Sequence, residues 1–229
     1  MANLWKRLTG KSDPVIGEKK DLSEIVCIVD RSGSMETIRN DAIGGFNAFI
    51  QDQKEQPGQG NLTLVLFNDT VKCVHESASL ASVAPLTRQS FVPSGRTAMF
   101  DAIGFSLRQI NRQLSKQPPS ERAAKIIVAI LTDGEENSSK EFDQNTISRM
   151  IQNYRKTGWE FFYLAANQDA VAAASGIGIA DKNTVNFKAT TEGVTEVMDT
   201  MSIMISQSRV DRDTKPRDKN SSESSSHPA

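Results

Sequence analysis

Residues 25–34 read Ile-Val-Cys-Ile-Val-Asp-Arg-Ser-Gly-Ser. The first five are apolar and mostly β-branched, without the alternation of a strand that faces water on one side. A run of this kind suits a strand buried on both faces, as in a parallel sheet covered by helices. It breaks at once into Asp30-Arg31-Ser32-Gly33-Ser34, a polar loop at its carboxyl end in which Gly33 permits a tight turn. In open α/β sheets ligands bind beyond the carboxyl ends of the strands. The same ten residues therefore indicate both the fold and the place to look for chemistry.

Working outward, the apolar spacing alternates between strand and helix. Residues 35–54 carry Ile38, Ala42, Ile43, Phe46, Phe49 and Ile50 at helical intervals. Residues 61–67 and 71–75 flank Asn68-Asp69-Thr70 and read as a hairpin. A helix over 97–114 is stopped by Pro118-Pro119. Strands are expected at 125–131, 159–166 and 184–187, and helices at 143–154, 169–175 and 191–208. This order predicts a doubly wound, mostly parallel six-stranded sheet with one antiparallel edge strand and helices on both faces.

Three loops then meet at one sheet edge. The strand over 125–131 leads into Thr132-Asp133-Gly134, which puts a second carboxylate, Asp133, at the same edge of the sheet. Thr97 follows Pro93-Ser94-Gly95-Arg96 on a loop that reaches the same crevice. Asp30, Ser32, Ser34, Thr97 and Asp133 supply two carboxylates and three hydroxyls. Such hard oxygen donors suit Mg²⁺, Mn²⁺ or Ca²⁺ and not zinc or copper.

Composition sets the outer limits. Of the 229 residues, 38% are hydrophobic and 24% charged, with 27 basic against 28 acidic side chains and a net charge of −1. That balance gives no basic excess for nucleic acid, so no nucleic-acid partner is expected. No run approaches the roughly 18 apolar residues of a membrane span. MANLWKRLTGKSDP lacks the apolar core of about 7–15 residues that a secretory signal needs. With two cysteines and two histidines the chain is expected to be reduced and cytoplasmic. Residues 1–22 are expected as a flexible N-terminal segment, 23–208 as the domain, and 209–229 as a disordered tail rich in serine and charge.

The site residues resemble those of the von Willebrand factor A (vWA) domain with its metal-ion-dependent adhesion site (MIDAS). Asp-x-Ser-x-Ser at 30–34, the distal Thr97 and the distal Asp133 match that family's three motifs in order, and the resemblance spans about 23–208. It is to the intracellular bacterial or phage-like type. It implies that Ser32 and Ser34 ligate the cation directly, that Thr97 does so conditionally, and that Asp30 and Asp133 order its water. It also implies a protein partner whose Asp or Glu completes the coordination, and company among ATPase or chelatase machines or stress-response and phage-encoded assemblies. The relatives that move shift their final helix when Thr joins the metal. Here that helix carries Val194, Val197, Met198, Met201 and Ile205, and methionine packs adaptably. The family's strand order keeps Cys27 and Cys73 apart as free thiols.

The function expected is a metal-dependent protein–protein interaction module, an adaptor or regulatory subunit, and not an enzyme. The chain has no phosphate-binding G-x-x-x-x-G-K-[ST] loop and no G-x-S-x-G elbow. Two alternatives stay open: a structural metal with binding through another face, and Mg²⁺-dependent hydrolysis. Asp69 reads as a turn residue, Asp101 as a first-turn acid favoured by the helix dipole or as a support behind the site, and Glu135 and Glu136 as a solvated loop or as acids that tune the metal face. Arg31 and Arg96 flank the site as surface arginines or as contacts for an acidic partner. Trp5-Lys6-Arg7-Leu8 reads as a frayed tail or a docking segment.

Overall fold

The computed structural model describes residues 15–166 and 169–210. Its strands are β1 (Lys19–Asp30), β2 (Gln59–Phe67), β3 (Val71–Ser79), β4 (Ala123–Thr132), β5 (Glu160–Ala166) and β6 (Thr184–Phe187). Its helices are α1 (Arg39–Glu55), α2 (Met99–Ser115), α3 (Gln144–Lys156), α4 (Ala170–Gly176) and α5 (Thr191–Val210). The strands form one sheet in the order β3-β2-β1-β4-β5-β6, with only the β2–β3 pair antiparallel. The doubly wound sheet with its antiparallel edge strand is therefore present.

The apolar run at 25–29 serves both faces because successive side chains point opposite ways. Val26 and Ile28 pack in a core with α2, α3 and α4. Ile25, Cys27 and Val29 pack in a second core with α1 and α5. The sheet order reverses where β1 lies between β2 and β4, the switch point at which such sheets open a crevice. Pairing of Ile28 with Ile130 and Val29 with Leu131 brings Asp30 level with Thr132. The register thus delivers both candidate carboxylates to one spot.

The domain limits differ from those expected. β1 opens at Lys19, inside the segment expected to be flexible, because main-chain bonds tie its approach down. Gly17 and Lys19 N–H donate to the carbonyls of Ala123 and Arg122. Val15 N–H donates to Asn111 Oδ1, and Trp159 Nε1 donates to Val15 O at 3.1 Å. At the other end α5 runs to Val210, and Arg209 is buried, donating to Gln53 O at 2.7 Å. The Trp5–Leu8 stretch and the tail beyond residue 210 lie outside the described residues.

Two further departures have local causes. A 3-10 turn, Gly33–Ile38, precedes α1, where the spacing predicts helix from residue 35. β3 continues to Ser79 through an irregularity in its pairing with β2, where Ser77 adopts φ 45°. Its hydroxyl donates to Glu24 Oε2 at 2.6 Å, and Thr63 Oγ1 donates to Glu24 Oε1 at 2.8 Å. This cluster is how a strand otherwise buried among apolar residues accommodates a carboxylate. Cys27 on β1 and Cys73 on β3 are free thiols with β2 between them; Cys27 is buried and Cys73, on the edge strand, half-buried.

Candidate metal centre

All five expected residues come together at the carboxyl edge of β1 and β4. Asp30 is the deepest: its Oδ1 accepts from Ser32 N–H at 2.6 Å and its Oδ2 from Thr132 Oγ1 at 2.6 Å. The hydroxyls of Ser32 and Ser34 lie 3.1 Å apart, and Ser34 donates to Asp133 Oδ1 at 2.7 Å. An oxygen chain therefore runs Asp30–Ser32–Ser34–Asp133. Asp30, Ser32, Thr97 and Asp133 are buried while Ser34 stands at the surface, so the donors form a shallow cup with one open lip.

Thr97 enters from the loop before α2, which begins only at Met99, two residues later than its spacing predicts. Gly134 shows how close it comes. A Cβ built there would lie 3.4 Å from Thr97 Oγ1 and 3.8 Å from Ser34 Oγ, so the two hydroxyls approach the same point from opposite loops.

Burial pushes the Asp30 carboxyl up to about 6, against the lowering effect of the Thr132 and Ser32 hydrogen bonds, and the Asp133 charge adds to the rise. Asp133 is raised by burial as well, against its Ser34 bond. None of the ion pairs found among the described residues includes Asp30. Two neighbouring carboxyls whose charged forms burial disfavours are what a divalent cation would satisfy, and the surrounding oxygens are hard donors. The residues fit such an ion. No cluster of three or more His, Cys, Asp or Glu occurs among the described residues, and the candidate donors here are two carboxylates and three hydroxyls.

The supporting residues were not identified from sequence. Asn137 pins Thr97 from both sides: Thr97 N–H donates to Asn137 Oδ1 at 2.9 Å, and Asn137 N–H donates to Thr97 O at 3.0 Å. Glu136 is no solvated loop acid. It accepts from the N–H groups of Phe100, Ser138 and Ser139 and from the Ser139 hydroxyl, stitching the β4–α3 loop to the start of α2. Asp101, for which the sequence favours the dipole reading over a supporting role, accepts from the N–H groups of Lys140, Glu141 and Phe142. Glu135 is exposed.

The β2–β3 turn does the same for the Thr97 loop. Asn68 Nδ2 donates to Ser94 O at 2.8 Å, and Ala98 N–H donates to Asn68 O at 2.9 Å. Asp69 Oδ2 accepts from Arg96 N–H at 2.8 Å. Gly95 has φ 73°, and a Cβ there would lie 2.0 Å from Asp69 Oδ2, so only glycine lets this carboxylate close in. Asx side chains near a turn are the one signal that hinted at this role.

The family model described as von Willebrand factor type A domain matches residues 24–200. No curated protein matches the chain in sequence. Among solved structures, proximal thread matrix protein 1 from the mussel byssus, with a zinc-occupied MIDAS motif, aligns with a TM-score of 0.56 at 15% identity, over 80% of this chain and 46% of that one. A von Willebrand factor type A protein from Catenulispora acidiphila aligns with a TM-score of 0.51 at 16% identity, over 79% and 42%. The pilus adhesin SpaC from Lactobacillus rhamnosus GG, in its open conformation, aligns with a TM-score of 0.59 at 14% identity, over 86% and 31%. The chain spans less than half the length of each of these three proteins, and at these identities the likeness is one of fold.

Proposed function

Because the chain belongs to the von Willebrand factor type A domain family, whose members generally serve in protein–protein interaction, we propose that it is a metal-dependent interaction module that takes an acidic side chain of a protein partner. The observation that carries this reading is the convergence of Asp30, Ser32, Ser34, Thr97 and Asp133 in one cup, with its carboxyls raised by burial. Bound there, a divalent cation supplies an electrophilic centre for one more anionic oxygen. Ser32 and Ser34, and conditionally Thr97, would hold it through their hydroxyls, and Asp30 and Asp133 would order its water. Neutral hydroxyls offset little of a +2 charge, so the open lip beside Ser34 stays attractive to a carboxylate.

Mg²⁺ is the expected ion, with Mn²⁺ and Ca²⁺ as competitors. Zinc in the motif of the mussel protein argues for including it in any titration. The commitments of the nearby acids favour binding over catalysis. Both Asp30 oxygens and both Glu136 oxygens accept from neighbouring donors, which leaves neither poised as a general base. No helix among the described residues is long and apolar enough to cross a membrane. A cytoplasmic setting, as adaptor or regulatory subunit beside an ATPase or a stress-response or phage assembly, is part of the same proposal.

Retention experiments test the partner claim. Full-length protein immobilised in Mg²⁺ is expected to hold a partner that EDTA releases and that Asp133→Ala fails to hold. Retention that survives both EDTA and the substitution would move the binding surface to another face.

A further inference from the structure

Two arginines stand where a plain cation site would do better without them. Arg31 lies between Asp30 and Ser32, and Arg96 immediately precedes Thr97. The loops that carry them are joined, since Ser94 N–H donates to Arg31 O and Gly33 N–H to Gly95 O, both at 3.0 Å. Both guanidinium groups reach the same β2–β3 turn. Arg31 Nη2 lies 3.5 Å from Asn68 Oδ1 and 3.4 Å from Thr70 Oγ1, and Arg96 Nε lies 3.4 Å from Asp69 Oδ1. These are the long limit of a hydrogen bond.

Neither group is saturated. Arg31 Nε is buried without a hydrogen-bond partner, and the Arg96 side chain is 67% exposed. Asp69 directs its shorter bond to the Arg96 main-chain N–H, not to its guanidinium. Among the described residues no carboxylate grips either fork in the bidentate way that planar guanidinium favours. Positive charge beside a cation site repels the cation, a cost that a ligand anionic beyond the one oxygen a metal takes would offset.

We propose that Arg31 and Arg96 form a second anion subsite, and that the partner segment is di-acidic, with one carboxylate on the metal and another on the arginine pair. This rests on the metal-dependent reading above and adds the chemical class of the partner. The rim position makes the pair a steering and selecting device: such charges act mainly on association rate and salt dependence. Charge complementarity names the occupant as an acidic peptide segment. A basic segment would meet two like charges, and a neutral one would leave both forks with only their long contacts to the β2–β3 turn.

The test uses full-length protein in Mg²⁺, titrated by NMR with two end-capped Gly/Ser peptides. One carries a single Asp, and the other carries a second Asp two or three residues away. The di-acidic peptide is expected to bind on the order of threefold to fivefold tighter, the scale of one rim ion pair. That advantage is expected to shrink as salt rises and to vanish in Arg96→Gln and in Arg31→Gln/Arg96→Gln. The same variants are expected to bind Mg²⁺ alone slightly tighter, about twofold, because repulsion has been removed. This opposite movement of peptide and metal affinity is not what a folding defect produces. Equal binding of the two peptides to wild type, or an advantage that persists in the double variant, overturns the arginine subsite while single-Asp binding remains Mg²⁺-dependent. Loss of Mg²⁺ dependence for the single-Asp peptide overturns the metal reading instead, and the subsite with it.

Discussion

Thr97 and Asn137 hold each other through two hydrogen bonds, one from the Thr97 N–H to the Asn137 side chain at 2.9 Å and one from the Asn137 N–H to the Thr97 carbonyl at 3.0 Å. The loop after β4 thereby fixes the loop before α2, so the residues flanking Asp133 position Thr97. Asn137→Ala removes the side-chain half of this clasp. It is expected to cost about 1–2 kcal/mol of stability for one part-buried donor left unpaired. Affinity for the cation, measured by calorimetry, is expected to fall about fivefold. An unchanged affinity would show that Thr97 is placed without Asn137.

Glu24 gives the protein a pH dependence far from the metal cup. Burial holds its carboxyl above the usual range, against the hydroxyls of Ser77 and Thr63. The folded state therefore binds this proton more tightly than the unfolded chain does. The stability it confers is fully present below the unfolded pKa, about 4.3, and is lost as pH rises through the higher folded value. Glu24→Gln keeps the shape and removes the charge. Denaturant midpoints measured from pH 4 to pH 8 are expected to fall for wild type relative to the variant as pH climbs through this window. Parallel curves would mean that Glu24 does not titrate differently on folding.

The cup was legible because chemistry and fold coincide there. An apolar run fixes a strand, its last residue fixes the sheet edge, and Asp30, Ser32, Ser34 and Asp133 follow with no freedom to be elsewhere. Thr97 was legible only through its order among the motifs, because its loop is shaped by distant partners. Asn68, Asp69, Glu136 and Asn137 act on main-chain amides of other loops, and no spacing or periodicity records such bonds. For the same reason the ends were misjudged: Val15 and Arg209 look like tail, and their anchors, Asn111, Trp159 and Gln53, lie far away in sequence.

The methionines of the last helix would let it slide if the domain moved as some of its relatives do, but hydrogen bonds tie it to α1 and β5. Met198 and Met201 are buried as expected, but Met198 sits so close over Gly45 that a Cβ there would lie 2.6 Å from Met198 Cγ. Gln53 donates to Ser202 O, Ser202 Oγ and Ser206 Oγ, and it accepts from Arg209. Asp52 accepts from Ser202, and Glu160 from Ser208. A slide of α5 along its axis would break most of these at once. Gln53→Ala is expected to destabilise by about 2–4 kcal/mol, since it leaves buried groups unpaired, and to speed hydrogen exchange in α5. Exchange rates equal to wild type would show that the tie carries no load.

A fixed α5 has a consequence for Thr97. If the Gln53 and Asp52 bonds hold α5 in place, Thr97→Ala is expected to lower cation affinity and partner affinity by the same factor. A partner loss several times the metal loss would require a conformational change that accompanies Thr97 ligation.

The most direct measurement is a calorimetric titration of chelator-stripped full-length protein with Mg²⁺, followed by Mn²⁺, Ca²⁺ and Zn²⁺. Two carboxylates and three hydroxyls predict a single site of weak to moderate affinity, abolished in Asp30→Ala and in Ser32→Ala/Ser34→Ala, with circular dichroism confirming that both variants fold. A folded, stripped wild-type protein that takes up no cation, or one whose uptake is unchanged in both variants, would contradict the metal centre and the function built on it.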